Sequence, residues 1–159
     1  MEKNNYLSKY AKSFNWAGFF LPQKTYSKCS NLYDFCRTLD NIADDGDETE
    51  IKLRRFLNFK DNFNIKEFQN PIIKNMWELM DEYNISKNIV YDLFDGVESD
   101  IQNEVKLNSK KELLIYSYRV AGTVGLMMAK ILNVTSSNSL KSAIDLGIAM
   151  QLTNISRDV

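Results

Sequence analysis

Two stretches of this sequence place hard oxygen ligands at helical spacing. Tyr33, Arg37, Asp40 and Asp44 step by 4, 3 and 4, so on a helix they form one polar stripe, with Leu32, Cys36, Leu39 and Ala43 as an apolar stripe beside it. Carboxylates at i and i+4 can both reach one hard cation, and Mg²⁺ typically takes one or two carboxylates together with phosphate oxygens and water. Gly147, Gln151, Asn154 and Asp158 repeat the spacing next to Ile148, Leu152, Ile155 and Val159. Two such helices facing each other would gather amide and carboxylate oxygens around metal ions. A plainer reading stays open, since 21 acids in 159 residues give about three acidic i,i+4 pairs by chance, most on solvated faces. A third stripe, Tyr118, Gly122, Gly125 and Ala129, has small residues at its centre, which let another helix or a ligand tail come close. Tyr118 and Arg119 must point about 100° apart. The stripe selects Tyr118 as the one that faces a cavity.

Composition narrows the remaining chemistry. The chain has no His, which excludes serine triads, Cys-His pairs, haem ligation by His and His-bearing zinc sites. With 20 Lys+Arg against 21 Asp+Glu the net charge is −1, so no basic field invites nucleic acid. Cys29 and Cys36 lie about 10 Å apart along a helix, beyond disulfide reach, and read as reduced thiols. Neither an apolar signal core at Met1–Tyr6 nor a run approaching about 18 apolar residues occurs, so a cytoplasmic location is expected. The Asn-X-Ser/Thr triplets at Asn84, Asn133 and Asn154 are then incidental, and the many asparagines read as coding bias.

The elements that must position these residues are helices. Two prolines and six glycines leave long stretches whose apolar spacing is 3 and 4, and 44% hydrophobic with 26% charged residues fits one globular domain over 1–159. The periodicity predicts an all-α chain with helices over 3–12, 22–45, 48–63, 70–83, 87–105, 110–132 and 138–159, and a short turn over 16–21. Pro22 suits a first helical turn, Ser109-Lys110-Lys111-Glu112 is a capping box, and Asp47-Glu48-Thr49-Glu50 is a weaker start signal. The last helix runs to Val159 with no stop signal, so the sequence reads as part of a longer domain.

The wording of four blocks is more specific than their spacing. They are Ser13-Phe14-Asn15-Trp16-Ala17 before Leu21-Pro22, the run from Tyr33 to Asp44, the run from Tyr116 to Met128, and the run from Asp145 to Val159. In this order they resemble the squalene and phytoene synthase family over nearly the whole chain, the last two blocks resembling bacterial phytoene synthases most. The resemblance implies an all-α terpene (isoprenoid) synthase fold and head-to-head joining of two prenyl diphosphates, in phytoene synthases two geranylgeranyl diphosphates, through a cyclopropyl diphosphate. It implies Mg²⁺, with Mn²⁺ as a substitute, held by Asp40, Asp44, Asn154 and Asp158, and no NAD(P)H. Arg37, Gln151 and Arg157 match positions that contact the substrate, Tyr33 lies beside them, and Ser13 belongs to an N-terminal diphosphate-side motif. Tyr118 matches a cavity tyrosine associated with proton transfer, and peripheral membrane association would serve product release. The family's second motif has another Asp four residues beyond Asp158, so residues 1–159 alone are expected to be inactive, and Ala11 stands where some members carry Ser. A C30 synthase using farnesyl diphosphate, an inactive assembly member and an unrelated helical module are the rival readings.

Overall fold

The computed structural model describes residues 20–102 and 108–158, with the side chain of Asp158 excluded. The segments expected at 3–12 and over most of 16–21 lie outside the described residues, as do Ala11 and Ser13. Among the described residues seven α-helices follow one another: α1 Gln23–Asp44, α2 Thr49–Asn64, α3 Pro71–Tyr83, α4 Lys87–Ile101, α5 Lys110–Ser117, α6 Thr123–Ile131 and α7 Ser137–Asp158. Among the described residues there is no strand.

Each start follows from local chemistry. Asn70 accepts from the Ile72 amide at 3.0 Å ahead of Pro71 at the first helical position. Ser109 Oγ accepts from the Glu112 amide at 3.1 Å while Glu112 Oε2 accepts from the Ser109 amide, closing the expected capping box. The weaker signal before α2 makes no side-chain cap; Arg55 instead grips Asp45 at 2.6 Å and Asp47 at 2.7 Å. Three turns run through left-handed residues that are not glycine, Lys66 (φ 57°), Asn84 (φ 50°) and Asn133 (φ 60°). At Lys66 and Asn133 the chain makes the paired bonds of a Schellman stop, Glu67 N–H to Asn62 and Val134 N–H to Ala129. Asn84 and Asn133 therefore have a conformational role, since Asn tolerates this region better than most residues.

The core is aromatic. Phe35, Phe56, Phe63 and Phe94 are fully buried, and the Phe35 ring lies 5.8 Å from Phe59, 5.9 Å from Phe63 and 6.0 Å from Phe94. Helix α1 is thus buried at Cys29, Leu32, Phe35 and Leu39, a wider face than the single stripe through Cys36 and Ala43. Trp77 closes the far end, stacked on Phe63 at 5.0 Å and donating its indole N–H to the Phe63 carbonyl at 2.9 Å.

The stretch expected as one helix over 110–132 is interrupted. Tyr118–Gly122 forms a π-helical turn in which the Thr123 amide reaches back to the Tyr118 carbonyl. One extra residue is thereby inserted between α5 and α6. Around this turn the glycines do the packing. A Cβ at Gly125 would lie 2.4 Å from the Ala143 carbonyl oxygen, one at Gly147 2.5 Å from that of Ala121, and one at Gly96 2.8 Å from Val120 Cγ1. Helix α7 and the π turn approach so closely only because those side chains are absent.

Candidate active site

Helix α1 presents its polar stripe along its C-terminal half: Tyr33 and Asp40 are half-buried, Arg37 and Asp44 exposed. Across from it, the last turn of α4 supplies Asp100. The Asp40 carboxyl is pushed up to about 6, first by burial and then by the negative fields of Asp44 and Asp100. Asp100 is itself raised by burial and by Asp44, with the Tyr116 hydroxyl opposing the shift. Tyr116, near the end of α5, donates its O–H to Asp100 Oδ1 at 2.8 Å. Burial and the Asp100 charge raise the Tyr116 phenol, and a hydrogen bond from Gln151 of α7 pulls it the other way. Four helices thus bring Asp40, Asp44, Asp100, Tyr116 and Gln151 to one place.

The seams explain why these residues meet. Helices α6 and α7 touch at Gly125 with Ala143 and, one turn on, at Ala121 with Gly147. A further α-turn along α7 reaches Gln151, while the wider π turn carries the facing chain back by five to Tyr116 rather than by four to Ser117. On the other side Gly96 touches Val120, and one turn from each lie Asp100 and Tyr116.

Tyr116, then, stands where an uninterrupted 3.6-residue period would place Ser117. The Tyr118 hydroxyl instead bonds Asp92 Oδ2 at 3.1 Å, its ring lies against Gly122, and Arg119 reaches toward Asp95 at 3.8 Å. The stripe of Gly122 and Gly125 is filled by Ile144 and the Ala143 backbone of α7, so it serves helix packing and leaves no room there for a prenyl tail.

The charges around the acids are uneven. Lys52 donates to the Ala43 carbonyl at 2.9 Å and Arg55 is held by Asp45 and Asp47. Among the described residues no Lys or Arg pairs with Asp40, Asp44 or Asp100. Asn154 is half-buried and Arg157 exposed on α7; both have interaction partners. Asp158 ends α7, and its side chain lies outside the described residues. No three described His, Cys, Asp or Glu side chains stand close enough to hold a metal ion unaided. The donors are nonetheless all oxygen, with no ion-pair partner among the described residues, a set that suits a hard divalent ion completed by phosphate oxygens.

Sequence reading named Asp40, Asp44 and Gln151, which the structure brings together, and missed Asp100 and Tyr116. Tyr116 stood in a quoted block two residues from the chosen tyrosine. For Asp100 the available signal was its distance of one turn from Gly96 on an otherwise large-residue helix.

Comparison with known proteins gives the family. A family model described as squalene/phytoene synthase matches residues 7–159. A phytoene synthase of Pseudescherichia vulneris is 32% identical over 94% of this chain and 52% of its own length. A 4,4'-diapophytoene synthase of Staphylococcus haemolyticus is 31% identical over 96% of this chain and 55% of its own. The crystal structure of a dehydrosqualene synthase in complex with ligand matches with a TM-score of 0.68 and 27% identity, over 94% of this chain and 53% of that one. The chain spans about half the length of the relatives it matches. With its helices following an isoprenoid synthase fold and the family model covering all but the first residues, this chain belongs to the squalene/phytoene synthase family.

Proposed function

We propose that the protein joins two prenyl diphosphates head to head, and that it takes two geranylgeranyl diphosphates to phytoene. The observation that carries the reading is the convergence of Asp40, Asp44, Asp100, Tyr116 and Gln151 from four helices in a chain of this family. Asp40 and Asp44 on α1, with Asn154 and Asp158 on α7, would hold Mg²⁺ or Mn²⁺, which when bound neutralises the charge developing on a departing diphosphate. Arg37 and Arg157 add positive charge for the diphosphate, with Tyr33 and Gln151 lining the approach and Ser13 on the diphosphate side. The allylic cation left behind must be kept from water. The double bond of the second prenyl chain attacks it, a cyclopropyl diphosphate forms, and a second ionisation with rearrangement and proton loss yields the triene. No nicotinamide is consumed, because the sequence ends in proton loss rather than reduction. Tyr118 is the phenol matched by the family block, and Tyr116, bonded to Asp100, offers a second one for the reacting centre. Product release into a lipid phase would be served by peripheral membrane association; no described helix is long and apolar enough to cross a membrane.

A second reading has its own observation. The diapophytoene synthase is as similar as the phytoene synthase, 31% against 32%, so a C30 product from farnesyl diphosphate is the alternative. Full-length protein incubated with Mg²⁺ and either the C20 or the C15 diphosphate separates the two. Phytoene from the C20 substrate is expected. A product from the C15 substrate alone moves the assignment to a C30 synthase, and no product from either overturns the enzyme reading. For residues 1–159 alone we expect binding of Mg²⁺ and pyrophosphate without turnover.

A further inference from the structure

The Tyr116 hydroxyl has a fixed partner. Its proton points at Asp100 Oδ1, 2.8 Å away, while Gln151 favours the ionised phenol. A phenol so held has no proton to give toward the reacting centre. It is an acceptor. Asp100 differs from Asp40 and Asp44, because one of its oxygens is already occupied by the phenol, and it sits at the end of α4, opposite the helix that carries the metal-ligand pair.

Head-to-head joining links the two C1 carbons, and the central double bond of phytoene requires each to lose one proton. Those protons need a route out of a site that excludes bulk water. We propose that Asp100 is the positioning residue that sets Tyr116 as the proton acceptor, and that it is the final holder of that proton. As a C1–H bond of the carbocation breaks, its electron pair forms the new carbon–carbon bond of the product and the proton goes to the Tyr116 oxygen. The phenol passes its own proton to Asp100 Oδ1 along the existing hydrogen bond. Tyr116 ends as it began, and the neutral Asp100 later releases its proton to water. The inference rests on the head-to-head reading above.

The test uses the full-length enzyme and its Asp100→Asn and Asp100→Glu variants. Asn keeps an oxygen for the Tyr116 hydrogen bond and cannot take the proton. With Asp100→Asn, kcat should fall by about 10²-fold while KM stays within about twofold. The thermal shift given by Mg²⁺ with pyrophosphate should be retained. A prenyl diphosphate deuterated at C1 should show a larger isotope effect in the variant than in the parent, because C–H cleavage has become limiting; a role in structure alone would not raise it. Asp100→Glu should recover part of the rate. Turnover of Asp100→Asn within about twofold of the parent, or a lower rate with an unchanged isotope effect, overturns the relay. If Asp100→Asn does not fold, the isotope effect in Asp100→Glu decides in the same way. Absence of product from the parent with both C15 and C20 substrates would instead sink the head-to-head reading.

Discussion

Replacing Asp40 by Asn should stabilise the metal-free protein at neutral pH. Asp40 is held at about 6 against an ordinary 3.8, so keeping it ionised at pH 7 costs the fold about 3 kcal/mol. The sign follows from linkage. A carboxyl whose folded pKa exceeds its unfolded one binds its proton more tightly when native, so this group favours the fold most below about 4 and loses that contribution as pH rises through about 6. Asn carries no such charge. Asp40→Asn should therefore exceed the parent by up to about 3 kcal/mol at pH 7.5 in EDTA, roughly 6–12 °C in melting temperature for a chain of this size. The gain should shrink steadily toward pH 4.5. Mg²⁺ acts in the opposite sense: at about 100 Kd it should stabilise the parent by roughly 2.7 kcal/mol, and Asp40→Asn should lose most of that rise. Thermal melts at pH 7.5 and 4.5, with EDTA, with Mg²⁺ and with Mg²⁺ plus pyrophosphate, supply every number. A gain that does not depend on pH would refute the electrostatic argument, and an undiminished Mg²⁺ response would remove Asp40 from the metal site.

Three further outcomes follow from the packing. Gly125→Ala puts a Cβ where the Ala143 carbonyl stands, so it should cost about 1–3 kcal/mol in a urea titration, whereas Gly46→Ala, with open space around it, should cost little. Ser117→Ala removes a fully buried hydroxyl that finds no partner, and should leave the melting temperature unchanged or raised; a clear loss would mean that the hydroxyl has an acceptor. Ser109→Ala deletes the cap of α5 and should cost about 1 kcal/mol, with faster amide exchange at Glu112 as the local signature.

The helices were legible because local chemistry sets them. Periodicity and the Ser109 box place the described helices to within a few residues, apart from the break inside the single helix expected over 110–132. What was not legible depends on tertiary contact. Phe35 lay outside the apolar stripe chosen on α1, yet it is the centre of the ring cluster, because α1 is covered by α2, α4 and the Phe63–Trp77 stack rather than on one side only. The single helix expected over 110–132 assumed an uninterrupted 3.6-residue period, and the π turn at Tyr118–Gly122 adds a residue that brings Tyr116, rather than Ser117, toward Gln151. Asp100 has only Gly96, one turn away, to mark it in sequence; its partners come from α1 and α5.

The acids sit against the local electrostatics. Asp40 and Asp44 occupy the last turns of α1, where unpaired carbonyls already carry partial negative charge, and no basic residue lies in that turn. The chain answers this in part: Lys52 covers the Ala43 carbonyl, and Arg55 takes up the charges of Asp45 and Asp47. Neither cation is brought to Asp40, Asp44 or Asp100. A fold selected for stability alone would place a lysine or arginine there, as it does between Lys28 and Glu82 at 2.5 Å and between Lys60 and Glu98 at 3.2 Å. Among the described residues these three carboxylates, two of them half-buried, have no protein counter-charge, which under the proposed function leaves the position to a cation that arrives with substrate. On that proposal, the destabilisation of the free protein is the other side of the affinity gained for metal and diphosphate together, since the repulsion among the acids would be released when they bind.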